Sequence, residues 1–141
     1  MIGRTPFFAL PGNPASAYLG FELFMRPAIL KMAGHTQLRR PVQSAILGHD
    51  IQKSPGLRYF MRGTVCQQVI KRDTQDLIGV PEQEKQDTCH VVRVTENQSN
   101  TLLSSFHKAN CLLVLPEEEA DLRTGAVINC IRLDVEERVK I

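Results

Sequence analysis

The pattern of apolar residues changes once along this sequence, near residue 41. Up to that point the chain predicts one long apolar helix, and beyond it short alternating runs predict β-strands. A helix that is apolar almost all round needs burial on several sides, whereas alternating strands need a sheet that closes or stacks. The sequence therefore predicts two parts, residues 1–41 and residues 42–141, of which the second is mainly β.

A short apolar run, a turn and a helix start follow one another in the first part. Pro6 to Leu10 is typical of a buried strand, Pro11-Gly12 begins a turn, and Asn13 and Pro14 suit an N-cap and a first helical position. A helix start has unpaired N–H groups and a positive dipole end, and Gly12 lets a ligand approach the backbone closely, so a phosphate or another oxyanion suits this geometry. A turn with a cap and no ligand is the simpler interpretation, and the local pattern alone favours it.

The predicted helix runs from Pro14 to about Ala33, and Gly34 is its expected stop. Pro27 lies inside it and removes one backbone donor, which predicts a kink near Leu23. Without a sheet to cover it, such a helix exposes a large apolar area. We therefore expect residues 42–141 to fold alone, and residues 1–41 to dock on them or to drive self-association.

The second part contains five strand candidates and one short helix, which suggest a compact barrel or sandwich. The strands are expected at residues 42–51, 57–70, 88–95, 111–115 and 126–135, and the helix at residues 102–109.

Composition limits the functional classes. Hydrophobic residues make up 43% of the 141 residues and the net charge is only +2, which is ordinary for a folded protein and too small to indicate nucleic acid as the main partner. No stretch is apolar enough to cross a membrane, and no signal peptide is evident. The four cysteines contain no Cys-x-x-Cys pair, so we interpret them as reduced, mostly buried thiols of a cytoplasmic protein.

Two further motifs could bind a ligand. On a strand, Arg58, Phe60 and Arg62 face one way and Tyr59 and Met61 the other. Two arginines on one face could clamp an anion with their planar guanidinium groups, although solvated arginines on an outer sheet face are the simpler interpretation. The polar run at residues 97–101 could bind a ligand through hydrogen bonds, or it could form a turn that caps the following helix.

Taken together, these pieces resemble the molybdopterin molybdotransferases, called MoeA in bacteria and forming the E domain of gephyrin in animals. The matching blocks are residues 3–17 (GRTPFFALPGNPASA), 21–24 (FELF), 26–34 (RPAILKMAG), 60–63 (FMRG), 103–106 (LSSF), 109–110 (AN), 114–116 (VLP) and 125–127 (GAV). The first block is specific, and the later ones occur in the family's order and at its spacing.

The resemblance implies a fragment of an enzyme. The family inserts molybdate into adenylylated molybdopterin, releasing AMP and the molybdenum cofactor with the help of Mg²⁺, and it works as a homodimer of four-domain subunits. Residues 1–41 would be the end of the α/β molybdopterin-binding domain, and residues 42–141 the small C-terminal β-barrel, the fourth domain. The family's cleft lies between these two domains and the partner's second domain. Neither a membrane nor nucleic acid is an expected partner.

The resemblance also implies the site residues, all of them substrate-binding: Pro11, Gly12, Asn13, Pro14, Arg62 and Ser99. This chain departs from the family at Ala15, where valine is usual. It also carries Asn97-Gln98 where glutamine and a small residue usually precede the serine.

The family's metal-binding carboxylates lie upstream of this chain. The isolated fragment is therefore expected to be inactive and to bind no cofactor. Two alternatives remain open: a non-catalytic scaffold or interaction domain related to gephyrin, and a small nucleic-acid-binding barrel. The second is disfavoured by the absence of tryptophan and by the presence of only two tyrosines.

Overall fold

The structure is a computed structural model, and it describes residues 5–70, 87–95, 98 and 104–136. The helices are α1 (Pro14–Gly20), a π-helical segment (Phe21–Met25), α2 (Arg26–Met32) and α3 (Ser104–Lys108). The strands are β1 (Val42–Leu47), β2 (Ile51–Gln52), β3 (Tyr59–Ile70), β4 (Asp87–Val94), β5 (Cys111–Leu115), β6 (Asp121–Leu122) and β7 (Val127–Arg132). Within this described part of the chain, none of the helices has both the length and the apolar character that crossing a bilayer requires.

The predicted long helix is confirmed, with one irregular turn. Its first residue is Pro14, and Gly34 follows its end with a φ of 84°, which is favourable only for glycine. The π-helical segment lies where the kink was expected, because Pro27 has no N–H to donate to the carbonyl of Leu23. The N–H of Arg26 instead reaches back five residues to the carbonyl of Phe21.

Five strands close into a barrel in the order β1-β4-β3-β5-β7. The pairing of β1 with β4 is parallel and the other four pairings are antiparallel. The predicted mainly β fold with a small barrel is thus confirmed. The strand expected at residues 42–51 is interrupted after Leu47, and Ile51–Gln52 pairs instead with Asp121–Leu122 in a separate two-stranded sheet.

The barrel interior holds the core. Its fully buried side chains include Leu47, Val92, Leu113 and Leu115, together with the thiols of Cys111 and Cys130. Tyr59 and Met61 pack against this core, so the predicted alternation of β3 is confirmed. Two of the four cysteines are buried, whereas Cys66 is exposed and Cys89 is half-buried, because they lie on β3 and β4 with their side chains outside the core.

The predicted strand from Pro6 to Leu10 is wrong. These residues form no strand, and the side chain of Phe7 is 68% exposed. A strand must pair its backbone N–H and C=O groups with a neighbour, and no strand lies beside residues 6–10 in the described part of the chain. The apolar side chain of Leu10 instead packs on Gly20, whose added Cβ would lie 2.9 Å from Leu10 Cδ2.

The helix docks on the outer face of the barrel. The Glu22 carboxylate accepts bonds from Nε and Nη2 of Arg40 at 2.8 and 3.3 Å, and Nη1 of Arg40 donates to the carbonyl of Val135 at 3.1 Å. The ring centroid of Tyr18 lies 4.4 Å from that of Phe106 in α3. Of the two expected outcomes for the helix, docking on the barrel is the one that the structure shows. The domain boundary at residues 41 and 42 stays a prediction.

Candidate functional site

The central residue of the candidate site is Arg62 on β3. It lies on the outer face of the barrel, yet it is only 4% exposed. Its guanidinium Cζ sits 4.8 Å from the ring centroid of Phe106, close enough for a cation–π contact. Burial lowers the pKa of the Arg62 guanidinium, but an arginine stays protonated in proteins. The barrel therefore holds a positive charge in a largely dry environment, where it attracts an anion more strongly than it would in water.

The backbone of Arg62 is held by the segment that follows β4. Its N–H donates to Oε1 of Gln98 at 3.2 Å, and its carbonyl accepts a bond from Nε2 of Gln98 at 2.8 Å. The N–H and the hydroxyl of Thr95 reach the same carbonyl at 3.0 and 3.2 Å. The strand position of Arg62 is therefore closely defined.

A cavity of about 90 Å³ separates Arg62 from the start of α1. It is lined by Ala15, Ser16, Leu19, Phe60, Arg62, Gln98 and Phe106. Its polar lining residues are Arg62, Gln98 and Ser16. The guanidinium and the hydroxyl can donate to an oxyanion, whereas the amide N–H groups of Gln98 are already bonded to Arg62 and Thr95. Sites for whole small molecules usually measure about 300–1,000 Å³, so this cavity suits a single oxyanion group of a larger ligand.

The predicted turn before α1 directly precedes this cavity. Oδ1 of Asn13 accepts the N–H groups of Ala15 and Ser16 at 3.0 and 3.3 Å, which confirms the N-cap. Two donors of the first turn are thereby used within the protein, and an anion could bind them only if the Asn13 side chain moved away. Gly12 is exposed, and an added Cβ would have nothing within 4 Å. Pro11 and Pro14 are exposed as well.

The predicted site residues are brought together only in part. Arg62 and the residues following Pro14 share one cavity, whereas Ser99 lies outside the described residues. The clamp of two arginines is not formed: the side chain of Arg58 is 53% exposed, and its Nη2 lies 3.5 Å from Glu117 Oε1. Four residues along a strand correspond to about 13 Å, and Arg58 does not line the cavity that Arg62 faces. The interpretation as a solvated arginine therefore holds for Arg58 and fails for Arg62.

Sequence reasoning missed two contributors to the site, Phe106 and Gln98, and one residue, Asn110, that braces β3 outside the cavity. Phe106 was assigned only to a short helix, and Gln98 was treated as part of a polar run and as a departure from the family. Asn110 pairs with the backbone of Val65 through both its amide atoms, at 2.8 and 3.0 Å, on the opposite edge of β3. A polar residue directly before an apolar strand, as Asn110 is before β5, is the kind of signal that could have indicated this bracing role.

The described residues offer no metal centre. Residues 5–70, 87–95, 98 and 104–136 contain no group of three or more His, Cys, Asp or Glu side chains that could hold a metal ion. Any metal-assisted step would therefore need ligands other than these residues.

Residues 79–133 match the family model of the MoeA C-terminal region (domain IV). These residues contain β4, α3, β5, β6 and β7. These residues therefore match the C-terminal region of MoeA, and the predicted resemblance to the molybdopterin molybdotransferases is confirmed.

Curated relatives match far more of the chain than this domain. A protein named gephyrin from Dictyostelium discoideum is 31% identical over 133 residues, which are 90% of this chain and 16% of that protein. Molybdopterin molybdenumtransferase 1 from Mycobacterium tuberculosis is 30% identical over 132 residues, 91% of this chain and 28% of that enzyme. The chain thus spans between about a sixth and somewhat more than a quarter of the length of these relatives.

A solved structure has the same fold. The molybdopterin biosynthesis MoeA protein from Pyrococcus horikoshii superposes with a TM-score of 0.60 and 23% sequence identity. The match covers 86% of this chain and 26% of that one.

Proposed function

We propose that this chain is part of a molybdopterin molybdotransferase, which inserts molybdate into adenylylated molybdopterin with release of AMP. The observation that carries this proposal is Arg62, a buried cation in a cavity shared with the first turn of α1. Relatives that are 30% identical over most of the chain are named molybdopterin molybdenumtransferases. In this reaction the phosphate groups of the substrate and molybdate itself are oxyanions, which a guanidinium can hold with two parallel bonds.

In this proposal the chain supplies one wall of the cleft. Arg62 attracts and orients an oxyanion, and the cation–π contact with Phe106 keeps the guanidinium in one place. Ser16 lines the same cavity and can donate a further bond, and Gln98 holds the backbone of Arg62 beside it. The turn Pro11-Gly12-Asn13-Pro14, together with Ser99, completes the proposed substrate-binding set. The remaining walls, including one from a second subunit of a homodimer, belong to parts of the enzyme outside this chain.

The residues that the structure describes do not fit a magnesium site. Because the described residues hold no cluster of candidate ligands, we assign Mg²⁺ to carboxylates elsewhere in the longer protein. The proposed enzyme is cytoplasmic, and the isolated 141-residue chain is expected to insert no molybdenum.

A scaffold or interaction role related to gephyrin is the second candidate, because the Dictyostelium relative named gephyrin matches the chain as well as the enzymes do. The two functions can be separated by assay. Replacement of Arg62 should lower transferase activity, whereas a scaffold with the same replacement would keep its binding partners.

The test is molybdenum insertion by the longer protein that contains this chain. A charge-assisted hydrogen bond contributes roughly 1.5–3 kcal/mol, and 1.4 kcal/mol is about a factor of ten. Arg62→Ala should therefore lower kcat/KM by about tenfold to a hundredfold. Arg62→Lys should recover only part of the loss, because lysine keeps the charge but not the planar geometry.

Arg58→Ala is the matched control, since Arg58 lies on the same face of the chain but pairs with Glu117 at the surface. It should leave the activity unchanged. Because Arg62 is buried, urea unfolding curves of every variant must show that the protein is folded under assay conditions. If Arg62→Ala were fully active while Arg58→Ala were not, the placement of the site at Arg62 would be wrong.

A further inference from the structure

On the β4 edge of β3, the backbone of Arg62 is paired partly by Thr95, the residue after β4, and partly by the side chain of Gln98. The pairing of β3 with β4 ends at Gly63, which lies opposite Val94. One residue further along, the N–H and C=O of Arg62 are bonded by the two amide atoms of Gln98. One donor and one acceptor, placed as a neighbouring strand would place them, complete the backbone pairing of Arg62.

Gln98 is itself tied to the end of β4. Its Nε2 lies 3.0 Å from both the carbonyl and the hydroxyl oxygen of Thr95, the residue that follows β4. Thr95 also bonds the Arg62 carbonyl with its own N–H. Gln98 therefore joins Arg62 to β4 at the point where the ladder stops.

Asn110 performs the same task on the other edge of β3. It precedes β5, and its amide bonds both the N–H and the C=O of Val65. Residues 62 and 65 are an odd number of positions apart, so their backbone groups point to opposite edges of the strand. The two amides are thus matched in chemistry, but only Gln98 lines the cavity of Arg62.

We propose that Gln98 is a positioning residue for Arg62: its amide fixes the backbone so that the guanidinium faces the cavity and Phe106. The direction of a side chain follows from the orientation of its Cα–Cβ bond, and that orientation follows from the backbone. This inference rests on the proposed function, because it gives Gln98 a part in binding the same oxyanion. This positioning role of Gln98 is separate from general stabilisation of the barrel, which Asn110 also provides.

The experiment uses the 141-residue chain labelled with ¹⁵N. The Nε–Hε signal of Arg62 should be displaced by the ring current of Phe106, whose centroid is 4.8 Å from the guanidinium carbon. Sodium molybdate is then titrated, and its affinity is read from the same spectra. Gln98→Met removes both hydrogen bonds to the backbone of Arg62 and nearly keeps the shape of the side chain. Asn110→Ala removes the two corresponding hydrogen bonds to the backbone of Val65, on the opposite edge of β3.

We expect Gln98→Met to shift or broaden the Arg62 signal and to weaken molybdate binding by about threefold to tenfold, as loss of one or two hydrogen bonds implies. Asn110→Ala should lower the melting temperature while leaving the Arg62 signal and the molybdate affinity unchanged. An unmoved Arg62 signal in Gln98→Met, or equal effects of both variants on that signal, would overturn the proposal. The isolated chain lacks the other walls of the cleft, so failure of the unmodified chain to bind molybdate would leave the decision to the Arg62 signal, which is measured without ligand and decides the role of Gln98. The proposed function is tested separately, by Arg62→Ala in the longer protein.

Discussion

Gly63→Ala should lower the free energy of unfolding of the barrel more than an alanine substitution at any other glycine that the structure describes. Gly63 lies between β4 and β5, opposite Val94 and Cys111. A Cβ built on Gly63 would collide with Cδ1 of Leu113, and it would lie only 2.7 Å from the carbonyl oxygen of Arg93. The first contact involves a fully buried side chain and the second involves the backbone of β4, so neither group can move aside freely.

The expected cost follows from this crowding. Adding a methyl group to a well-packed core typically costs about 1–3 kcal/mol. For a domain of this size, such a loss lowers the melting temperature by on the order of 5–15 °C. Thermal unfolding followed by circular dichroism, together with urea unfolding, measures both quantities.

Two comparisons separate crowding from a general effect of alanine. Gly12→Ala places its Cβ in open space, so its stability should change by less than about 0.5 kcal/mol. In a double-mutant cycle, Leu113→Val should relieve part of the collision and give a coupling free energy with Gly63→Ala. If Gly63→Ala unfolded at the temperature of the unmodified chain, the close approach of β3, β4 and β5 at this residue would be refuted.

Two further predictions concern charged groups. The pKa of Asp50 is held at about 2 by hydrogen bonds from the N–H and hydroxyl of Thr124 and from the guanidinium of Arg123. This value lies below the usual pKa of an aspartate in an unfolded chain. The contribution of Asp50 to folding stability should therefore be complete above about pH 4 and lost as the pH falls toward 2. Carboxyl NMR titration measures this pKa, and a midpoint near 4 would contradict the contacts. Glu22→Gln should destabilise the chain by about 1.5–3 kcal/mol, because it removes the charge that Arg40 bonds in a site where the Glu22 side chain is only 6% exposed. Hydrogen exchange should then speed up in residues 14–32, whereas Arg58→Ala, which breaks a half-exposed pair, should leave that exchange unchanged.

Local signals were sufficient to predict the helix. An N-cap, a proline at the first position and a terminal glycine act within a few residues, and the structure has all three at Asn13, Pro14 and Gly34. The effect of Pro27 is local as well, which explains why the irregular turn falls at Phe21–Met25. Features that depend on one to four neighbouring residues can be derived from the sequence alone.

Strand pairing is not local, and the errors of prediction occurred there. Residues 6–10 have the composition of a strand, but a strand exists only with a partner, and the described chain provides none. The parallel pairing of β1 with β4 joins residues such as Ile46 and Val91, which are far apart in the sequence. Nothing in either segment by itself specifies that contact.

Prediction of the site needs both local sequence patterns and contacts between segments that are distant in the sequence. Alternation along β3 placed Arg62 on the outer face, where a charged side chain is ordinarily solvated. It is buried because α1 and α3 cover that face, with Tyr18 against Phe106 and Phe106 against the guanidinium. The sequence alone could identify Arg62 only through resemblance to a family, since the covering elements come from opposite ends of the chain.

The junction between the two predicted parts therefore contributes to the site itself. The cavity has one wall from residues 15–19 and the other from the barrel, and Arg40, just before the predicted boundary, bonds both Glu22 and the carbonyl of Val135. If the parts were separated, the cavity would lose the wall formed by residues 15–19, whereas Phe106 and Gln98, which belong to the barrel part, would still contact Arg62. Water and salt would then screen the charge of Arg62 more strongly on that side and weaken its attraction for an anion. Docking of the helix should therefore strengthen anion binding, in addition to any effect that it has on stability.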